Sequence, residues 1–148
     1  MIERIPQRSK TDCTICAVAM VMGFPYSYER VLSDSDKYPK ISEEGKFCAW
    51  WETYLKDEGF LTEYRPFLDL YSLPKCGGCV VGLLMFDIPH IEYSHIVAVD
   101  ELGVIDPADN MPSHTDIAEY VLRHINQGAV FHWVSCIISP PNTLSRTK

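Results

Sequence analysis

Residues 95–107, HIVAVDELGVIDP, decide how the chain is read. Two short apolar runs, HIVAVDE and GVID, flank a turn through Glu101, Leu102 and Gly103. Runs of that length broken by turn residues predict a pair of antiparallel strands. His95 opens the first and Asp106 closes the second, so a hairpin sets an imidazole close to a carboxylate. Pro107 biases Asp106 toward extended geometry and gives its side chain a defined direction at the strand end.

Outward from the hairpin the same pattern recurs in FLTEY (60–64), CVVGLLMF (79–86) and VFHWVSCIIS (130–139), three further predicted strands. TDCTICAVAMVMGF (11–24) predicts a buried helix with Thr11 or Asp12 as N-cap and Gly23 at its end. EEGKFCAWWETYLKDEG (43–59) spaces Phe47, Trp51, Tyr54 and Leu55 as the apolar stripe of a packing helix, with Trp50 beside it. TDIAEYVLRHINQG (115–128) puts Ile117, Tyr120, Val121, His124 and Ile125 on one face, with Ser113 or Thr115 as cap. Helices first and strands afterwards imply an α+β domain over residues 1–138, its helices on one side of a mostly antiparallel sheet. Residues 139–148, SPPNTLSRTK, read as a loose tail.

At 148 residues one core suffices, and the 47% hydrophobic content lets packing hold it without metal or disulfides. A formal charge of -7 opposes non-specific attraction to nucleic acid or an anionic membrane, and neither is expected as a partner. MIERIPQRSK has no signal-peptide core, and the apolar runs are too short to cross a bilayer. A cytoplasmic protein is therefore expected. In that setting six cysteines read as free thiols, metal ligands or catalytic groups.

Cys13 opens the first helix, where free backbone N–H groups and the helix dipole favour a thiolate. Thiolate attack needs a proton-accepting partner held by a third group, and His95 with Asp106 supplies both. His90, His114, His124 and His132 are the other imidazoles; only His95 combines a following strand with an acid at the end of the next. Asp109 and Asn110 compete with Asp106 from the loop beyond the strand. Gln7, six residues before Cys13, is placed to fold back over the helix start as an oxyanion donor.

QRSKTDC (7–13), an apolar helix, a strand opening with His95 and the Asp106–Pro107 pair together resemble the papain-like double-glycine peptidases, which trim leader peptides from bacteriocins. The resemblance spans residues 7 to about 108, with Thr14 where the family commonly has Gly. It implies a papain-like fold and a catalytic set of Cys13, His95, Asp106 and Gln7. The activity implied is cysteine-peptidase cleavage of peptide or isopeptide bonds in a peptide or protein substrate, with no cofactor and no metal.

Two other functions fit the same residues. Acyl transfer or glutamine deamidation would use the same triad. A zinc-stabilised interaction module would instead use the CxxC pairs Cys13/Cys16 and Cys76/Cys79, although about sixty residues separate them and Cys16 lies inside an apolar helix. Cys48 and Cys136 read as core residues.

Overall fold

The structure is a computed structural model that describes residues 4–9, 12–40, 43–45, 49–66, 81–91, 93–108 and 114–139, and of 64–66 and 132–139 the backbone. Helix α1 (Cys13–Met22) carries no charged residue, and every position from Ile15 to Met22 is buried. A helix apolar all round belongs inside. It stops at Gly23, which adopts φ +71° and donates its N–H to the Ala19 carbonyl. Helix α2 (Tyr28–Ser35) follows, unanticipated from the sequence; Ser27 caps it by accepting from the Arg30 N–H at 3.1 Å.

The next helix is shorter than its stripe suggested. Residues 43–45 form a turn with Gly45 at φ +78°, 46–48, with Phe47 and Cys48, lie outside the described residues, and α3 runs from Trp50 to Asp57. Trp50, Trp51, Tyr54 and Leu55 are all buried on it.

Strands β1 (Leu61–Pro66), β2 (Val81–Ile88), β3 (Tyr93–Asp100), β4 (Gly103–Ile105) and β5 (Val130–Ser139) form one sheet in the order β1-β5-β2-β3-β4. Every neighbouring pair is antiparallel. The hairpin read at 95–107 is β3/β4, with Ala98 opposite Ile105, Val99 opposite Val104 and Asp100 opposite Gly103. Gly103 sits at φ +131°, and a Cβ there would fall 2.3 Å from the Thr115 carbonyl oxygen. That carbonyl accepts from Val104 N–H while Thr115 N–H donates to Val104 O, both at 2.8 Å, tying β4 to the chain that enters the last helix.

Helix α4 (Ile117–Ile125) corrects two expectations. Its cap is Asp116, which accepts from the Glu119 N–H at 3.1 Å; Thr115 is spent on the bridge to Val104, and 113 lies outside the described residues. It also packs on the face opposite the other helices. The sheet order explains this: β4 is an edge and β5 lies between β1 and β2, so the connection must cross β3 and β2, and α1 and α3 already cover one face. On that first face Ile15, Val18, Trp51 and Leu55 meet Leu83, Ile96, Ala98 and Ile105. On the second, Ile117, Tyr120 and Val121 meet Leu84, Phe86, Val97, Val99, Val104 and Phe131. The α+β class holds, arranged as three layers rather than two. Among the described residues no helix is long and apolar enough to cross a membrane. The tail from 140 onward lies outside them.

Candidate active site

Strand β4 is only three residues long and covers β3 only at Ala98–Asp100, so the earlier part of β3 meets something other than a strand on that side. The first turn of α1 fills the place. The Cys13 sulfur comes close enough to the His95 ring and to the Ile96 backbone N–H for both to favour its ionised form, and it lies 4.0 Å from the Thr14 hydroxyl. His95 Nε2 is committed to Asp106 Oδ1 at 2.6 Å, so the nitrogen left for sulfur is Nδ1. Asp106 follows β4 directly, and one step beyond the Ala98–Ile105 register it shares the sheet face that carries His95.

Packing fixes these groups. The His95 side chain is 2% exposed and that of Asp106 10%. The ring of Tyr93 stacks on His95 at 5.3 Å between centroids, and Phe86, opposite it on β2, meets it edge-on at 5.7 Å. Asp106 also accepts from the Ala108 N–H at 2.8 Å on Oδ1 and from the Tyr120 hydroxyl at 2.6 Å on Oδ2.

The ionisation follows from these contacts. Burial pushes the Cys13 thiol up, but the hydrogen bond and charge of His95, the Ile96 N–H and the Thr14 hydroxyl outweigh it and hold the thiol below its ordinary value. Burial pulls His95 down, yet its bonds to Asp106 and Cys13 raise it to about 9. Burial alone would raise Asp106; the donors from His95, Tyr120 and Ala108 bring it below the usual carboxylate value. A thiol held below its ordinary value beside an imidazole held above its own is biased toward a thiolate–imidazolium pair.

Gln7 is fixed beside this group through its backbone, its N–H donating to Pro107 O at 2.9 Å. Its Nε2 donates to Ser9 O at 2.9 Å, while Oε1 is buried with no hydrogen-bond partner. The cause is Asp12. It occupies the N-cap position of α1 but makes no side-chain cap bond. Its buried carboxylate turns back to accept from Arg8 N–H at 2.9 Å, Ser9 N–H at 3.2 Å and the Tyr28 hydroxyl at 2.8 Å. That turn carries Ser9 O to the Gln7 amide.

The other candidates fall elsewhere. His114 pairs with the fully buried Asp100 at 2.9 Å, at the far end of β3. His124 Nδ1 donates to Tyr120 O at 2.8 Å, and His90 lies in the 3₁₀ turn Pro89–Ile91. The His132 side chain, Asp109 and Asn110 are outside the described residues. Cys16 is fully buried, donates to Pro6 O at 3.5 Å, and is pushed up to about 12 by burial and the charges of Asp12 and Cys13, so its sulfur keeps its proton. Cys76, Cys79 and the Cys136 side chain lie outside the described residues, among which no three His, Cys, Asp or Glu groups could hold a metal.

Sequence reasoning missed Tyr120 as a partner of Asp106, because it stands in phase with an apolar helical stripe and its hydroxyl left no pattern to read. No family model, curated protein or solved structure matches the chain.

Proposed function

We propose that this protein is a cysteine hydrolase that cleaves peptide or isopeptide bonds through Cys13, His95 and Asp106, with the papain-like order of helix-borne thiol and strand-borne imidazole. One observation carries the reading: the thiol at the start of a helix, beside an imidazole whose Nε2 is 2.6 Å from a buried carboxylate. Few structural roles require a polar chain of that kind, and nucleophilic catalysis requires all three members.

In the first half-reaction the Cys13 thiolate attacks the carbonyl carbon and the π pair moves to oxygen. The oxyanion collapses, the C–N bond breaks, and His95 Nδ1–H gives its proton to the leaving amine, leaving a thioester on Cys13. In the second, water attacks the thioester and loses a proton to His95 Nδ1. The C–S bond breaks, the acid departs and the thiolate–imidazolium pair is restored. The Cys13 backbone N–H at the helix start supplies one oxyanion donor; Gln7 Nε2 supplies the second on turning from Ser9 O. A low-lying thiol three residues from a second free thiol, Cys16, suits a reducing compartment such as the cytoplasm.

Active-site labelling tests the assignment. Iodoacetamide at pH 6 should modify Cys13 far faster than any other cysteine, and His95→Ala should slow it by at least tenfold. Equal labelling of Cys13 and Cys48 in the native protein, or no effect of His95→Ala, would sink the proposal.

A further inference from the structure

The catalytic chain does not end at Asp106. Tyr120 stands on α4, on the opposite side of the sheet from α1, and is fully buried. Its hydroxyl donates to Asp106 Oδ2 at 2.6 Å, while Oδ1 takes His95 Nε2 at 2.6 Å and the Ala108 N–H at 2.8 Å. With a donor on each oxygen, the carboxylate cannot turn about its Cβ–Cγ bond without breaking one of them. The tyrosine ring is itself held in place. The His124 ring lies 4.1 Å from it between centroids, its Nδ1–H bonded to the Tyr120 carbonyl, and Phe86 meets it at 6.2 Å with the planes 73° apart. Phe86 also abuts His95, so one aromatic cluster braces both ends of the His95–Asp106 bond.

We infer that Tyr120 is a positioning residue for the triad: its hydroxyl fixes the plane of the Asp106 carboxylate, so that His95 holds Nδ1 toward Cys13. The inference rests on the hydrolase reading above. It makes α4 part of the catalytic apparatus, because a helix remote from the nucleophile sets the orientation of the general base. Removing the hydroxyl alone leaves Oδ2 buried without that donor, which disfavours the charged carboxylate. Protonation of Asp106 withdraws the charge that holds the imidazolium, and the thiolate is lost with it.

The test is the pH dependence of Cys13 alkylation by iodoacetamide in the full-length chain, with Tyr120→Phe as the variant. The acid limb should move up by about one pH unit, so that below it the rate falls about tenfold. The His95 Nε2–H proton resonance should broaden through faster exchange. Phe131→Leu, which loosens the same cluster without touching a hydroxyl, should lower the melting temperature while leaving the limb in place. Should Tyr120→Phe not fold, 3-fluorotyrosine at position 120 keeps the ring and donates more strongly, and the limb should move down. An unmoved limb with an unchanged Nε2–H resonance in a folded variant overturns the positioning role while the triad stands. Absence of preferential Cys13 labelling in the wild type overturns both.

Discussion

Replacing Gly103 by alanine should cost more stability than any other single added methyl group in the hairpin. The backbone there has φ +131°, a region L residues avoid, at a cost of about 1–3 kcal/mol. The new Cβ would lie 2.3 Å from the Thr115 carbonyl oxygen and 3.1 Å from its carbon, which are backbone atoms with no rotamer to yield. Relief therefore means parting β4 from residue 115 and giving up two backbone hydrogen bonds, at about 1 kcal/mol each. The combined loss is about 3–5 kcal/mol, a large share of the 5–15 kcal/mol typical of a domain and worth about 10 °C in melting temperature. Gly45→Ala is the internal control: its φ is +78° but nothing lies within 4 Å of the added methyl, so only the backbone strain remains, about 1–2 kcal/mol. Thermal denaturation followed by circular dichroism measures both. Asp106 lies one residue beyond β4, so Gly103→Ala should also slow Cys13 alkylation, and Gly45→Ala should not. Equal melting temperatures for the two variants would refute the close approach of β4 to Thr115.

Two further outcomes follow from the charged groups. Against the opposing effect of burial, Asp106 and Cys13 raise His95 from 6.5 to about 9 in the folded chain, so the stability held in its charge is fully present below pH 6.5 and is lost as pH rises through 9. The His95 ring protons, followed by NMR, should titrate with a midpoint near 9, and a midpoint near 6.5 would contradict the pairing. Asp12→Ala strands the Arg8 and Ser9 N–H groups and the Tyr28 hydroxyl, and should cost about 2–4 kcal/mol together with most of the proposed hydrolytic activity, because the segment carrying Gln7 loses its anchor. Asp12→Asn keeps the acceptor oxygen and should recover part of both; stability of Asp12→Ala within 0.5 kcal/mol of wild type would show that the anchor does no such work.

The three groups that meet at the site were legible because each stands at or near the end of an element. Cys13 begins an apolar helix, His95 stands third in β3 and Asp106 directly follows β4, and element ends are where pattern changes mark a sequence. The position of α4 was hidden for the opposite reason. Its own stripe is clear, but which face it covers depends on β5 inserting between β1 and β2, a pairing that no local spacing encodes. Helix α2 is short and polar, with Val31 and Ser35 its buried residues, so its period is faint and Ser27 was the one available mark. Gln7 was read for its proximity to the thiol, and its backbone is indeed fixed beside Pro107. The direction of its amide depends on the turn that Asp12 imposes.

The brevity of β4 has a consequence for association as well as for chemistry. A strand flank left bare invites a second chain to pair with it, and proteins commonly guard such flanks with a helix or a loop. Here the guard is the first turn of α1, which sets the Cys13 sulfur beside the Ile96 N–H. Loosening the stretch around Asp12 would thus unmask a sticky seam at the moment it silenced the thiol, so that inactive chains and aggregating chains should be the same population.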